Sequence, residues 1–363
     1  TAVAVACAGA SGEDTDGQAT PHPVDTQTVA QQVAESAPIS TDDAAADAAP
    51  AESEPTSTDS ADVVNENDEP TDADGDEAGG TRIVVDALGE VEVPAAPQRI
   101  VVLDPGAVLP TFLELGAPVV AANVPSDDFE TAVVPLGQLD GIESVGFPEP
   151  SLELISAQDP DVIVYYHFDD DERYDALAQL APPVAVERDL NAWRASPRRA
   201  ADAIGMANDF DALLAALDAR SAALVEGLGE RLDDEISVVR AIGNGVRMHT
   251  RLHFAGQVLE SIGFRRPAEQ RSDDPAERFI QISLEELDRI DGDTLFVFGR
   301  GLDDDAIQAT LDEVQSNPLF ATLDVARDDR VFVVDTLAWQ QGGVRAADII
   351  IDDIAAAYDL AVP

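Results

Sequence analysis

SLELISAQDPDVIVYY, residues 151–166, and SLEELDRIDGDTLFVF, residues 283–298, are one design written twice. Aligned without a gap, they share Ser, Leu and Glu at the start, an Asp at Asp159 and Asp291, and another at Asp161 and Asp293. Each opens on a polar residue and runs through a short stretch with helical spacing. Each then breaks, at Asp159-Pro160 or Asp291-Gly292, and ends in an apolar run. A helix feeding a buried strand is the expected local structure. The copies lie 132 positions apart (283 − 151). That distance is too long for a short-period solenoid and suits two similar lobes with a cleft between them.

Strand-like and helix-like segments alternate on both sides of each copy. Residues 81–93 read as a hairpin turning at Leu88-Gly89. RIVVLD at 99–104 is an apolar run of the kind buried in a parallel sheet, and Pro105-Gly106 breaks it. Residues 107–115 have helical spacing closed by Gly116, and a helix at 172–180 and a strand at 183–187 follow the first copy. Between the copies, 208–232 carries Leu213, Leu214, Leu217, Leu224 and Leu228 on one stripe. A helix there spans roughly 35 Å. The chain restarts its sheet at 236–242, turns at Gly243-Asn244-Gly245, and closes on an amphipathic helix at 344–358.

The fold class is therefore α/β: two doubly wound αβ lobes, residues 81–195 and 234–363, joined by a single long helix within 196–233. In an open parallel sheet the ligand crevice lies at the carboxyl ends of the strands. In the first lobe those ends carry Asp104, Asn123, Tyr165, Tyr166, His167 and Arg188, with Trp193 close by. Loops of the second lobe offer Arg247, His249, Arg251, Arg300 and Trp339.

Composition removes several classes of function. Net charge is −51, and all 21 basic residues are Arg. Such a chain is repelled by nucleic acid and by anionic membrane surfaces, so neither is an expected partner. The single cysteine, Cys7, excludes an internal disulfide framework and a Cys-based zinc site. Small apolar residues, Ala4-Val5-Ala6, directly precede it and resemble the end of a bacterial lipoprotein signal, although Ala4 replaces the usual Leu or Val. Residues 1–7 are accordingly expected to end a signal, with Cys7 lipidated and the protein held outside the cell membrane by that anchor alone. Residues 8–80 are Ala, Asp, Glu, Thr, Ser and Pro without periodicity and without a basic residue, the composition of a disordered acidic tether.

The twin units, the strand RIVVLDPGA, the segment FAGQVLESIGFRRPAEQ (254–270) and VFVVDTLAWQQGGVRAADIIIDDI (331–354) together resemble substrate-binding proteins of ferric-siderophore, haem and cobalamin ABC importers. The likeness runs from about residue 81 to 360. It implies two αβ lobes bridged by a rigid helix, a monomer, a metal chelate as ligand, an importer permease as partner, and no catalysis. It also implies that one Glu in each lobe docks on permease arginines. The matching residues are Glu153 and Glu285, third in each twin unit. Two distant carboxylates on one rim suit charge-assisted orientation of a partner.

A ferric siderophore suits arginine donors and aromatic faces. Tyr165, Tyr166, Arg247, Arg251, Arg300 and Trp339 are the candidate ligand residues. No resident cofactor or metal is expected: His249 and His253 share a spacing of four, but no third ligand is near. Haem, held by a Tyr or His167, and cobalamin are the alternative ligands. An enzyme is the rival class, yet no G-x-G-x-x-G follows the 99–104 strand and no G-x-S-x-G occurs. A tethered surface sensor is the third reading.

Overall fold

The computed structural model describes residues 80–126, 131–135, 137–167, 173–187, 193–274, 276–301 and 304–363. Cys7, nearly all of the acidic segment and Arg188 lie outside them. The chain enters through the antiparallel hairpin β1 (Thr81–Val85) and β2 (Glu90–Pro94). Alternation decides its faces: Val91 and Val93 point inward and Glu90 and Glu92 outward. The Asp86 carboxylate closes the turn by accepting from the Leu88 and Gly89 N–H groups at 2.8 and 2.9 Å.

The first lobe continues with β3 (Ile100–Leu103), α1 (Val108–Glu114), β4 (Val119–Ala122), β5 (Glu143–Ser144), α2 (Leu152–Ala157), β6 (Val162–His167), α3 (Tyr174–Leu177) and β7 (Pro183–Glu187). Its sheet order is β5-β4-β3-β6-β7, every pair parallel. The order reverses between β3 and β6, which places the crevice at their carboxyl ends. Helices α4 (Ala195–Ala203) and α5 (Ala207–Leu228) then lead out of the lobe. Gly229, at φ +55°, ends α5 in a conformation that favours glycine.

The second lobe holds β8 (Ile236–Ala241), β9 (Gly245–His249), α6 (Phe254–Ile262), β10 (Phe279–Ser283), β11 (Thr294–Phe298), α7 (Asp304–Gln315), α8 (Asp324–Arg327), β12 (Val331–Val333), α9 (Thr336–Gln340) and α10 (Val344–Ala357). Its order is β10-β9-β8-β11-β12. Here the structure departs from the expected parallel sheet: β9 runs antiparallel to both β8 and β10. The cause is the tight turn at Gly243-Asn244, which sends the chain straight back instead of through a helix. β10 approaches so closely that a Cβ on Gly245 would lie 2.3 Å from the Ile282 carbonyl oxygen. A second departure lies in the repeat itself. Leu152–Ala157 is an α-helix, but its partner Leu284–Ile290 is a 3₁₀ segment kinked at Glu286 (φ −109°, ψ 20°).

The shared aspartates explain why the repeat exists. Asp161 precedes β6 and accepts the N–H of Gln98, just ahead of β3, at 2.7 Å. Asp293 precedes β11 and accepts the N–H of Glu235, just ahead of β8, at 2.7 Å. In each lobe one carboxylate thus registers two adjacent parallel strands at their amino ends.

The lobes share a spine. α5 packs on α4 and α10, and α1 on α10. One apolar cluster runs from Ile100, Val102 and Val164 through Phe210, Leu217 and Leu224 to Phe254, Phe296 and Ile350. Arg198 of α4 grips Asp211 of α5 with two bonds of 2.7 Å. Arg220 of α5 bonds Asp348 and, at 2.6 Å, Asp352 of α10, and it donates to the Pro363 carbonyl at 2.8 Å. Removing Arg220 leaves the half-buried Asp348 carboxylate without its partner. Arg220→Ala is therefore expected to cost about 2 kcal/mol, read as a lower denaturant midpoint at unchanged slope.

Candidate functional site

At the carboxyl end of β3, Asp104 turns back on its own chain. Its side chain accepts from the N–H groups of Gly106, Ala107 and Val108 at 3.1, 2.9 and 2.6 Å and starts α1. This loop meets the other lobe. A Cβ on Gly106 would lie 2.8 Å from the Gln341 side-chain oxygen, and one on Gly343 would lie 3.5 Å from Ala107. Asn123, after β4, donates its amide to the carbonyls of Gly146 and, at 3.3 Å, Pro148, which fixes the loop before α2. Asp104 and Asn123 are thus committed to shaping the floor.

The end of β6 splits the two tyrosines. Tyr165 is fully buried with Val101, Ile155 and Ile163, while Tyr166 faces the other side and is half-buried. Strand alternation decides this, and it removes Tyr165 from the ligand-facing set. His167 meets Tyr165 edge to face at 6.5 Å, and its buried Nδ1 has no hydrogen-bond partner among the described residues. Arg173, at the start of α3, donates to the Tyr166 carbonyl at 3.1 Å and lies 5.4 Å from the Tyr165 ring centre. It went unnoticed in the sequence because it stands in an acidic run, where a basic residue suggests only a solvated neighbour.

Three arginines converge at the corresponding end of the second lobe. Arg240 of β8 and Arg247 of β9 are direct cross-strand partners, so their side chains leave the same face. Both are half-buried, each with its Nε out of reach of any hydrogen-bond acceptor. Arg300, after β11, is exposed. Among the described residues, neither Arg240 nor Arg247 has an acidic partner. Burial pulls the Arg240 guanidinium down to about 10, and Arg247 and Arg300 add repulsion. Burial and then Arg300 also lower Arg247. The rings of Phe279 and Phe298 line the same face: Arg247 lies 4.5 Å from the Phe279 centre, and Phe298 pairs with Arg240 across β11.

Behind these arginines lie His249 and His253, their Nδ1 atoms 3.0 Å apart. Burial and the surrounding cations, with Arg240 acting on both, hold His249 well below the usual imidazole range and His253 at about 3. Two neutral rings sharing one proton-bearing hydrogen bond fit that surrounding, and a bare metal cation does not. Among the described residues, no group of three or more His, Cys, Asp or Glu is placed to hold a metal.

Two expected ligand residues are elsewhere. Trp339 is fully buried on α9, stacks on Phe296 at 4.6 Å, and donates its indole N–H to Asp353 at 2.7 Å. Its role is to pack the core beside α10. Arg251 follows the end of β9, and because β9 is antiparallel that end lies at the amino end of β8. There it pairs with Asp273 at 3.0 Å and borders a cavity of about 610 Å³ with Glu235, Glu260, Arg265, Arg266 and Arg271. That cavity is away from the strand carboxyl ends, and two of its cations are paired within its own lining, Arg251 with Glu260 and Arg271 with Glu235. The structure therefore brings together Arg247 and Arg300 of the expected set and adds Arg240, with Tyr166 at the facing lobe's strand end.

Glu153 and Glu285 are both exposed, and among the described residues neither has an ion-pair partner. Both sit at the carboxyl end of their own sheet. Ser151 hangs on the Val145 carbonyl just past β5 at 2.7 Å, and Ser283 pairs with Gly245 beyond the end of β8.

The chain is 28 % identical over 284 residues to the probable siderophore-binding lipoprotein YfiY of Bacillus subtilis, spanning 76 % of this chain and 86 % of that one. It is 26 % identical over 302 residues to the Fe(3+)-citrate-binding protein YfmC of the same organism, covering 77 % and 86 %. Among solved structures, Staphylococcus aureus SirA complexed with staphyloferrin B superposes with a TM-score of 0.66 at 25 % identity, covering 77 % of this chain and 99 % of that one. Residues 101–337 match the family model described as periplasmic binding protein, and that span includes both sheets and the helix between them: the chain belongs to the periplasmic binding protein family.

Proposed function

We infer that the protein is the extracytoplasmic substrate-binding component of an ABC importer, capturing a ferric siderophore and delivering it to the permease. It is a transport component and not an enzyme, as its family and its relatives are. The observation that carries the ligand reading is the convergence of Arg240, Arg247 and Arg300, with Arg240 and Arg247 half-buried and, among the described residues, without counter-charge, in a chain of net charge −51. Such a cluster is unfavourable until an anion occupies it. Forked guanidinium donors match the oxygen-rich, negatively charged face of an iron chelate. The relatives' named ligands are of this kind.

Isothermal titration with ferric carboxylate, catecholate and hydroxamate siderophores, haem and cobalamin tests the reading. One ferric siderophore is expected to bind with submicromolar affinity, weakening as salt rises. Tighter binding of haem or cobalamin than of every siderophore would replace it.

Three further points belong to this proposal. Glu153 and Glu285 meet basic groups on the permease; their exposure and free charge support this. Cys7 carries a lipid anchor, a reading supported by the lipoprotein names of the relatives. Mass spectrometry of membrane-extracted protein tests it, an unmodified Cys7 being the contrary result. The chain works as a monomer of two lobes, 81–195 and 234–363, on the connecting segment 196–233.

A further inference from the structure

The two docking pads are not equivalent. In the first, Leu152 and Leu154 flank Glu153 on one helical turn, and each is 45 % exposed. Ile155 anchors that turn in the core. In the second, the residues matching Leu152 and Leu154 are Leu284 and Glu286. Leu284 is half-buried against its own lobe's core. Glu286 accepts from the Ser283 N–H and hydroxyl and pairs with Arg289 at 2.8 Å. One pad is thus a carboxylate between two bare leucines, and the other offers no exposed leucine, with Glu285 beside Asp288 and a Glu286 already paired to Arg289.

We propose that Leu152 and Leu154 form an apolar contact with the importer permease, and that this contact fixes which lobe faces which half of the docking surface. The proposal rests on the reading of Glu153 and Glu285 as docking residues. It is continuous with that surface, since the leucines stand immediately on either side of Glu153. An isolated exposed leucine needs no explanation; two on one turn around a charge offered to a partner make a small centre of the kind from which binding energy is drawn. A partner met only through two near-identical acidic pads would accept the protein in either of two orientations half a turn apart. Charge alone does not separate them, because both pads carry the same sign, and an apolar patch on one does. The two contributions also respond differently to salt. Ion pairs at a rim weaken as the screening length shortens, whereas apolar burial does not.

The test uses the full lipidated chain, loaded with its siderophore, and the permease with its ATPase in proteoliposomes, with docking read as stimulated ATP hydrolysis at low and high salt. The Leu152→Ser/Leu154→Ser variant is expected to bind siderophore normally and to dock about tenfold more weakly at both salt levels. Glu285→Ala is expected to weaken docking at low salt and to change little at high salt. Leu154→Glu gives the first pad the Ser-Leu-Glu-Glu sequence of the second, and is expected to lose the salt-resistant part of docking. Normal docking of both leucine variants at both salt levels overturns the proposal. If Glu153→Ala/Glu285→Ala also docks normally, the docking reading itself has failed. If only the glutamate variant is impaired, that reading stands and the apolar pad alone is wrong.

Discussion

Replacing Arg240 and Arg247 together by glutamine is expected to weaken siderophore binding by roughly a hundredfold or more while making the unliganded protein slightly more stable. The two effects come from one arrangement. Each guanidinium is expected to donate to an anionic oxygen of the ligand, and a hydrogen bond to a charged group contributes about 1.5–3 kcal/mol. Losing two such bonds gives the affinity change. Without ligand, the same side chains are direct cross-strand neighbours of like charge, half-buried, with Nε atoms that reach no acceptor. Like charges directly opposite one another on a sheet destabilise it by up to about 1 kcal/mol. Glutamine keeps much of the stem and removes the repulsion, so the unliganded melting temperature should rise by a few degrees. Titration calorimetry and thermal denaturation of the two proteins check both parts. If stability falls together with affinity, the arginines are holding the lobe and not the ligand.

This cluster also shows where sequence reasoning reached and where it stopped. The twin units, the hairpin, the interlobe helix and most parallel strands were legible, because buried strands and amphipathic helices impose periods of 2 and 3.6 on the choice of apolar residues. Strand direction imposes no such period. Assuming a parallel sheet put Arg251, which follows β9, at the cleft together with Arg247, whereas the antiparallel course of β9 keeps Arg247 there and carries Arg251 to the far end. Arg240 offered a signal of its own, a single charge inside the apolar run ISVVRAI. A buried strand tolerates such a residue where it emerges at the sheet's end, so the exception to the pattern marks the residue proposed to meet the ligand. Trp339 misled for the opposite reason. It lies between turn-like segments, yet the short helix α9 folds it onto Phe296, and only tertiary packing decides that.

The contribution of Glu114 to stability is expected to be lost as pH rises through 7. This residue ends α1 in the first lobe and faces Arg345 on α10, with its side chain 20 % exposed. The pair is incomplete. Glu114 Oε1 lies 4.0 Å from the guanidinium, and its Oε2 and the Arg345 Nε are buried without hydrogen-bond partners. Burial pushes the carboxyl up from 4.5 to about 7; Arg345 opposes this and Asp348 adds to it. Between those two values the folded chain keeps a proton that the unfolded chain releases. The contribution of Glu114 is therefore fully present below about 4.5 and is lost as pH climbs through 7. Asp353, pushed up to about 6 chiefly by burial although the Trp339 N–H lowers it, acts in the same direction over a lower window. At 1.36 kcal/mol per unit the Glu114 shift amounts to about 3 kcal/mol, and partial exposure reduces this to about 2. Denaturant midpoints of the wild type and Glu114→Gln, measured from about pH 4.5 to about pH 8, should separate by about that much. The difference cancels His249 and His253, whose lowered folded-state values make stability rise with pH over the same range. Glu114→Gln has no titrating group at this position, so that it is the more stable protein above about pH 8 and the two converge in acid. A Gln variant weaker than the wild type in basic buffer would mean that Glu114 is ionised there and bonded to Arg345. The pair would then be a closed bridge between α1 and α10, instead of an unmade one that gains its stability from a proton.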